Sequence, residues 1–168
     1  MNNMRMVVAT ALALSLSMVG AAPAAAVTVT RADGMPMLPT GEPFSALGSV
    51  SFYKGSVSMQ CFATIVGTVR STGFVEITAA RYDGAGPCSL LNGTASNMQP
   101  WTGQFDSPVQ VSINNMAVSV MLLGSCGPNK VIWSWNNSSS SMTSMSAVLF
   151  PDCTTWGTLQ LSPRFVVQ

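Results

Sequence analysis

The chain is predicted to be all-β: one antiparallel β-sandwich, Ig-like or related, held by two disulfides and preceded by a cleaved signal peptide. Three observations carry this prediction. Short runs alternate apolar and polar residues and are punctuated by turn residues. The helix formers Glu, Lys and Arg are scarce, with charged residues at 8% of the 168-residue chain, and no amphipathic helical period is legible after residue 26. Four cysteines, an even number, follow an export signal.

The elements follow in order. Arg5 is the positive charge of a short leading region, Val7 to Val19 is almost wholly apolar or small, and Ala21-Ala-Pro-Ala-Ala-Ala26 supplies small residues. This is the pattern of a secretory signal peptide over 1–26, cleaved after Ala26; its core is short for a membrane span. Val27 to Pro43 carries three prolines and two glycines and is expected to be an extended N-terminal arm, with the domain proper at 44–168. Ser45 to Phe52 ends in β-formers and leads to a turn at Lys54-Gly55. Cys61 to Val69 places Cys61, Ala63, Ile65 and Val69 on one face, and Ser71-Thr-Gly73 is a turn. Phe74 to Ala80 is expected to point Val75, Ile77 and Ala79 inward and Glu76 and Thr78 outward. Val109 to Ile113 alternates clearly. Asn114-Asn115 is read as a hairpin turn, because Asn tolerates positive φ, with Met116 to Leu123 as the returning strand. Val131, Trp133 and Trp135 share one side of a strand; Ser138 to Ser141 is expected to be a mobile tip before a return over Ser141 to Phe150. Thr155 to Ser162 is the last strand, with Leu159 and Leu161 on one face.

Cys61, Cys88, Cys126 and Cys153 allow three disulfide connectivities. The intervals Cys61–Cys88 and Cys126–Cys153 are equal, which points to two similar units, each closed by its own bridge. Zinc is disfavoured because the cysteines are widely spaced and the chain has no histidine. No other metal and no cofactor is expected.

Removing the signal takes Arg5 with it and leaves the formal charges balanced. Nucleic acid, which demands a concentrated basic surface, is therefore not an expected partner. No later run is long enough for a transmembrane helix. Without histidine, Ser-His-Asp and Cys-His nucleophile systems are excluded. Ser51-Phe-Tyr-Lys54 matches the S-x-x-K spacing of serine acyl-enzymes, but no K-T-G or S-D-N element accompanies it. Glu76 and Asp83 are the carboxylates that a hydrolase could use; on an outward strand position and in an Asp-Gly turn they read better as solvated surface. No catalytic residue is assigned. Trp101, Trp133, Trp135 and Trp156 are candidates for an apolar or sugar-binding groove, although such residues more often fill a sandwich core.

Taken together, Pro43-Phe44-Ser45, Cys61 within a strand, Cys88-Ser-Leu-Leu91, Pro100-Trp101, Cys126-Gly-Pro128, Trp135-Asn-Asn137 and a last cysteine before the final strand form a set. From Phe44 to the end this set resembles the bacterial protein activator of alkane oxidation (PraB-type) family. The resemblance implies a small secreted or cell-surface protein that aids growth on long-chain alkanes and is associated with biofilm or emulsification, with no known catalytic centre to transfer. The chain departs from the family in its methionine content and its Ser138–Ser141 run. The leading expectation is an extracellular, non-enzymatic protein acting by contact with hydrocarbon droplets, the cell envelope or its own copies. A second reading makes it a fibre subunit whose 27–43 arm adds as a strand to a neighbour. A carboxylate-dependent hydrolase ranks last.

Overall fold

Alternation decides the faces before any tertiary contact is considered, and in the computed structural model, which describes residues 27–168, it decides them almost throughout. The strands are β1 (Val29–Arg31), β2 (Glu42–Lys54), β3 (Val57–Val69), β4 (Phe74–Asp83), β5 (Leu91–Gly93), β6 (Trp101–Ser107), β7 (Gln110–Val120), β8 (Gly124–Asn136), β9 (Ser141–Leu149), β10 (Cys153–Ser162) and β11 (Phe165–Val167). A short 3-10 turn covers Gly86–Leu90, and there is no α-helix among the described residues. The signal peptide read at 1–26 lies outside the described residues.

All ladders are antiparallel. β2 pairs with β3 without interruption from Glu42↔Val69 to Lys54↔Val57, across a two-residue turn that Gly55 opens at φ 56°. β3 continues to β4, β7 to β8, and β9 to β10. β4 pairs with β6 at one end and β5 at the other, and both of these pair with β7, so the two short strands share one place in the wall. β10 then returns to β2, from Cys153↔Lys54 to Ser162↔Ser45. The result is a closed eight-stranded barrel, not the sandwich expected. Alternation tells which side of a strand is buried. It does not tell whether the buried sides belong to two facing sheets or to one sheet curled on itself.

The inside is apolar and full. Phe44, Phe52, Ile65, Ile77, Trp101, Phe105, Trp133, Trp135 and Leu159 are among its buried side chains. A void between Phe44, Val69, Ile77, Phe105, Ile113 and Met142 measures about 10 Å³, room for at most one water-sized sphere. The outer wall carries mainly Ser, Thr and Gln, for example Ser45, Ser49, Gln60, Thr64, Thr158 and Gln160. A membrane-spanning barrel has the opposite polarity, apolar outside and polar inside. Among the described residues no helix is long and apolar enough to cross a membrane.

Three local expectations are corrected. Asn114-Asn115 is no turn: β7 passes through it, with an irregular register between Ile113 and Met116 and Asn115 at φ 59°. Tolerance of positive φ is used for a bulge, so Met116 continues the strand, and the reversal comes at Met121–Leu123. In β4 the register shifts where Val66 faces Ala79 and Gly67 faces Ile77. That shift exposes Ala79 and turns Ala80 and Tyr82 inward. The tip expected at Ser138–Ser141 is a hydrogen-bonded turn over 137–140, with Ser141 already in β9. The Asn136 side-chain oxygen accepts from the Ser138 and Ser139 backbone N–H groups, and Ser140 is fully buried.

The two ends of the barrel differ. At the basal end β1 and β11 form a two-stranded ribbon, Val29↔Val167 to Arg31↔Phe165. Val29 and Phe165 are fully buried in the same core. Within 27–43, β1 is paired inside its own chain, turns close where Gly34 N–H donates to the Arg31 carbonyl and Gly41 N–H to the Leu38 carbonyl, and Glu42 and Pro43 already belong to β2. At the apical end lie the turns Gly55-Ser56, Gly84–Leu90, Met121–Leu123 and Phe150–Asp152. Both disulfides lie towards this end, Cys61–Cys88 and Cys126–Cys153, each spanning 27 positions and paired as the equal intervals indicate.

Candidate apolar contact surface

The predicted site residues separate once the barrel closes. Trp101, Trp133 and Trp135 point inward and are buried. Trp101 Nε1 donates to Thr94 Oγ1 at 3.2 Å, and Trp135 Nε1 donates to Asn137 Oδ1 at 2.7 Å with Phe105 edge-on at 5.0 Å. Trp156 alone of the four faces the wall, half-buried, stacked on Tyr53 at 4.5 Å. An open groove of about 560 Å³ lies beside Trp101, lined by Thr94, Gln99, Pro100, Asn115 and Pro128. Its lining is neutral, and Trp101 itself is only 2% exposed.

The catalytic spacings do not assemble. Ser51 and Lys54 are three apart on one strand and therefore face opposite ways. Ser51 lies on the wall opposite Trp156, while Lys54 is buried. Glu76 and Asp83 are seven positions apart along β4, about 23 Å at the strand rise, far beyond the ~5–10 Å of a glycosidase pair.

Lys54 and Glu42 are buried charges at the two ends of β2, and each has a partner. Arg31 bonds Glu42 and Asp33 basally; the Arg31 hydrogen bond holds the Asp33 carboxyl at about 2, below its ordinary 3.8. Apically, Lys54 Nζ donates to Asp152 Oδ1 at 2.7 Å and lies 3.4 Å from Cys126 Sγ and 3.7 Å from Cys153 Sγ. Cys126, Cys153 and Asp152 come together here. The sulfurs are committed to one another and an ammonium already lies among them, so this cluster does not suit a cation.

Around that anchor the chain builds a feature that sequence reading missed. Met121–Leu123 forms the tip between β7 and β8, closed by Leu123 N–H to the Val120 carbonyl. Leu122 occupies the turn at φ 70°, a position that favours Gly or Asn. It is 93% exposed, with Met121 at 62%. Phe150, at 66% exposure, crowns the neighbouring tip between β9 and β10. The tips are tied down from several sides. Gly127 N–H donates to the Phe150 carbonyl at 2.6 Å, Phe150 N–H to Asn129 Oδ1 at 2.8 Å, and Met121 N–H to the Leu90 carbonyl at 2.9 Å. Cys126–Cys153 bridges the strands beneath them. This gives the Cys126-Gly-Pro128 motif a physical role. A Cβ on Gly127 would come within 2.3 Å of the Met116 carbonyl oxygen, so only glycine allows the approach. The sequence signal for the tip was Leu122-Leu123-Gly124, two apolar residues that break alternation just before a glycine.

The Trp135-Asn-Asn137 motif also has a structural task, at the opposite end. Asn137 accepts from Trp135 Nε1 and from Val167 N–H, and donates to the Val167 carbonyl at 2.8 Å. Ser140 Oγ accepts from Phe165 N–H at 2.8 Å. The outer edge of β11 is therefore capped by side chains, while the Ser71 carbonyl takes the Val29 N–H of β1.

No curated protein and no solved structure matches the chain. The family model for alkane oxidation protein activators, PraA/PraB-like, matches residues 1–168, its entire length. By that full-length match the chain belongs to the PraA/PraB-like family of alkane oxidation protein activators.

Proposed function

We propose that the protein is exported and acts without catalysis, aiding alkane use by contact between its outer surface and hydrocarbon. The observation that carries this reading is the filled interior. A barrel that carries a ligand inside needs a cavity of roughly 300 Å³ or more, and here the void among the core side chains is about 10 Å³. Set beside the alkane role that the family name carries, this small void favours the exterior as the place of contact. Separated catalytic spacings and a neutral wall of Ser, Thr and Gln support the same reading, as does the exposed apolar apex. Export is supported by the signal pattern at 1–26 and by the two disulfides. Secreted material should begin at Val27 and carry both bridges on mass spectrometry.

The test is adsorption of purified oxidised protein to hexadecane droplets of varied size at constant hydrocarbon mass. Binding should follow droplet area. Stoichiometric uptake of dissolved alkane independent of area would indicate an internal carrier and refute the reading, as would no adsorption at all. The fibre reading has less support, because β1 is already paired with β11, the outer edge of β11 is capped by Ser140 and Asn137, and the Val29 N–H of β1 is taken by the Ser71 carbonyl.

A further inference from the structure

We propose that Met121, Leu122, Leu123 and Phe150 are the part of the surface that enters the neutral hydrocarbon phase; this rests on the reading of the protein as acting at a hydrocarbon surface. The first support is strain. An exposed turn position at positive φ is occupied most cheaply by Gly or Asn, and a leucine there costs stability and gains no packing, since Leu122 is 93% exposed. Stability of the isolated chain does not account for that side chain; a use outside the chain does. The second is convergence. Two separate tips, each held by backbone hydrogen bonds and bridged below by Cys126–Cys153, present their apolar side chains at the same end.

Size and charge choose the occupant. Met121, Leu122, Leu123 and Phe150 are only 43–93% exposed, so together they offer at most a few hundred Å², below the ~800 Å² per partner that a specific protein interface takes. A liquid apolar phase needs no complementary shape, and the gain simply follows the area removed from water. An anionic bilayer would be met by basic side chains. The tips 121–124 and 150–152 hold one charge, the half-exposed Asp152 carboxylate, and no cation, while nearby Lys54 is buried against it. Uncharged hydrocarbon fits this end, and an anionic membrane does not.

The experiment compares wild type with Leu122→Gly and Met121→Ser in hexadecane-droplet adsorption and in urea unfolding. Leu122→Gly suits the positive φ, so it should keep full urea resistance while its partitioning falls roughly tenfold or more. Loss of adsorption from a stably folded variant is not explained by misfolding. The wall variants Leu47→Ser and Phe62→Ser should change adsorption less than about twofold. Wild-type adsorption with an unaltered Leu122→Gly variant would overturn the apical assignment and leave the functional reading standing. Equal losses from the wall variants would also overturn it. So would binding to vesicles of anionic phosphatidylglycerol as tight as to hexadecane. Failure of wild type to adsorb at all overturns the functional reading and this inference together.

Discussion

Replacing Asn137 with alanine tests the account of the basal clasp most directly. The Asn137 amide completes three hydrogen bonds at once: it accepts from the Trp135 indole at 2.7 Å and from Val167 N–H at 2.8 Å, and donates to the Val167 carbonyl at 2.8 Å. Its orientation is dictated by chemistry, because both partners of Oδ1 are N–H donors and the partner of Nδ2 is a carbonyl. Trp135 and Val167 are buried, so alanine leaves two donors and one acceptor unsatisfied. Each costs about 1–3 kcal/mol when dry; Asn137 itself is half-buried, and water entering the vacated space recovers part. A net loss of about 3 kcal/mol is expected, or a fall in Tm of roughly 10 °C for a domain of this size. Urea unfolding of oxidised protein measures it. Asn137→Asp keeps both accepted bonds but turns a carboxylate oxygen towards the Val167 carbonyl, an acceptor against an acceptor, so it too should destabilise, by about 1–3 kcal/mol at neutral pH. If alanine costs under about 0.5 kcal/mol, the clasp does not hold the ribbon as described.

Other perturbations have equally definite signs. Asp152→Asn removes the countercharge of the buried Lys54 ammonium; because Asp152 is half-exposed, about 1–2 kcal/mol is expected in urea unfolding, and adding Lys54→Met should restore part of it. The Asp33 carboxyl should titrate near 2 by carbon-detected NMR and move back towards 3.8 in Arg31→Met. Since its folded value is depressed, its contribution to stability is full above 3.8 and is lost as pH falls from there through about 2. Gly48→Ala would place a Cβ 2.0 Å from the Thr158 carbonyl oxygen across the β2–β10 closure, and should cost at least ~2 kcal/mol by calorimetry.

What the sequence made legible was local. Cys61, Ala63, Ile65 and Val69 share the inner face because alternation needs no knowledge of the partner strand. The disulfide pairing followed from two equal intervals. Closure was not legible: it rests on β10 pairing with β2 about a hundred positions earlier, and on β5 and β6 dividing one place between them. β5 and β1 are three residues each, too short to show a period. Asn115 shows the limit differently. Its tolerance of positive φ was read correctly, but the same torsion serves a hairpin or a bulge, and only the register of β8 distinguishes them. Ser140 looked solvent-bound in a serine run, yet it is buried because Phe165, which arrives from the end of the chain, needs an acceptor for its N–H. For the apex, composition marked Leu122 and Leu123 as strand; the torsion of Leu122 made them a tip.

A protein that touches oil with part of its surface faces a problem that water does not pose: the oil offers its core residues an alternative apolar environment, so the hydrophobic term that holds the fold is weakened at the point of contact. Resistance must then come from terms that the oil does not offset. The closed ladder is one, since a barrel has no edge from which strands peel. Covalent linkage is the other. Cys61–Cys88 and Cys126–Cys153 both lie towards the apical end, and each loop is worth about 3.5 kcal/mol in the chain-entropy model. On this argument the bridges matter more at the interface than in bulk water. Cys126→Ser/Cys153→Ser should remain folded in buffer but lose its β-sheet circular dichroism within hours on hexadecane droplets, while the oxidised protein keeps its spectrum there. A variant that holds its sheet on the droplets as long as the parent would show that closure alone suffices, and that the apical placement of the bridge has no part in surviving contact with oil.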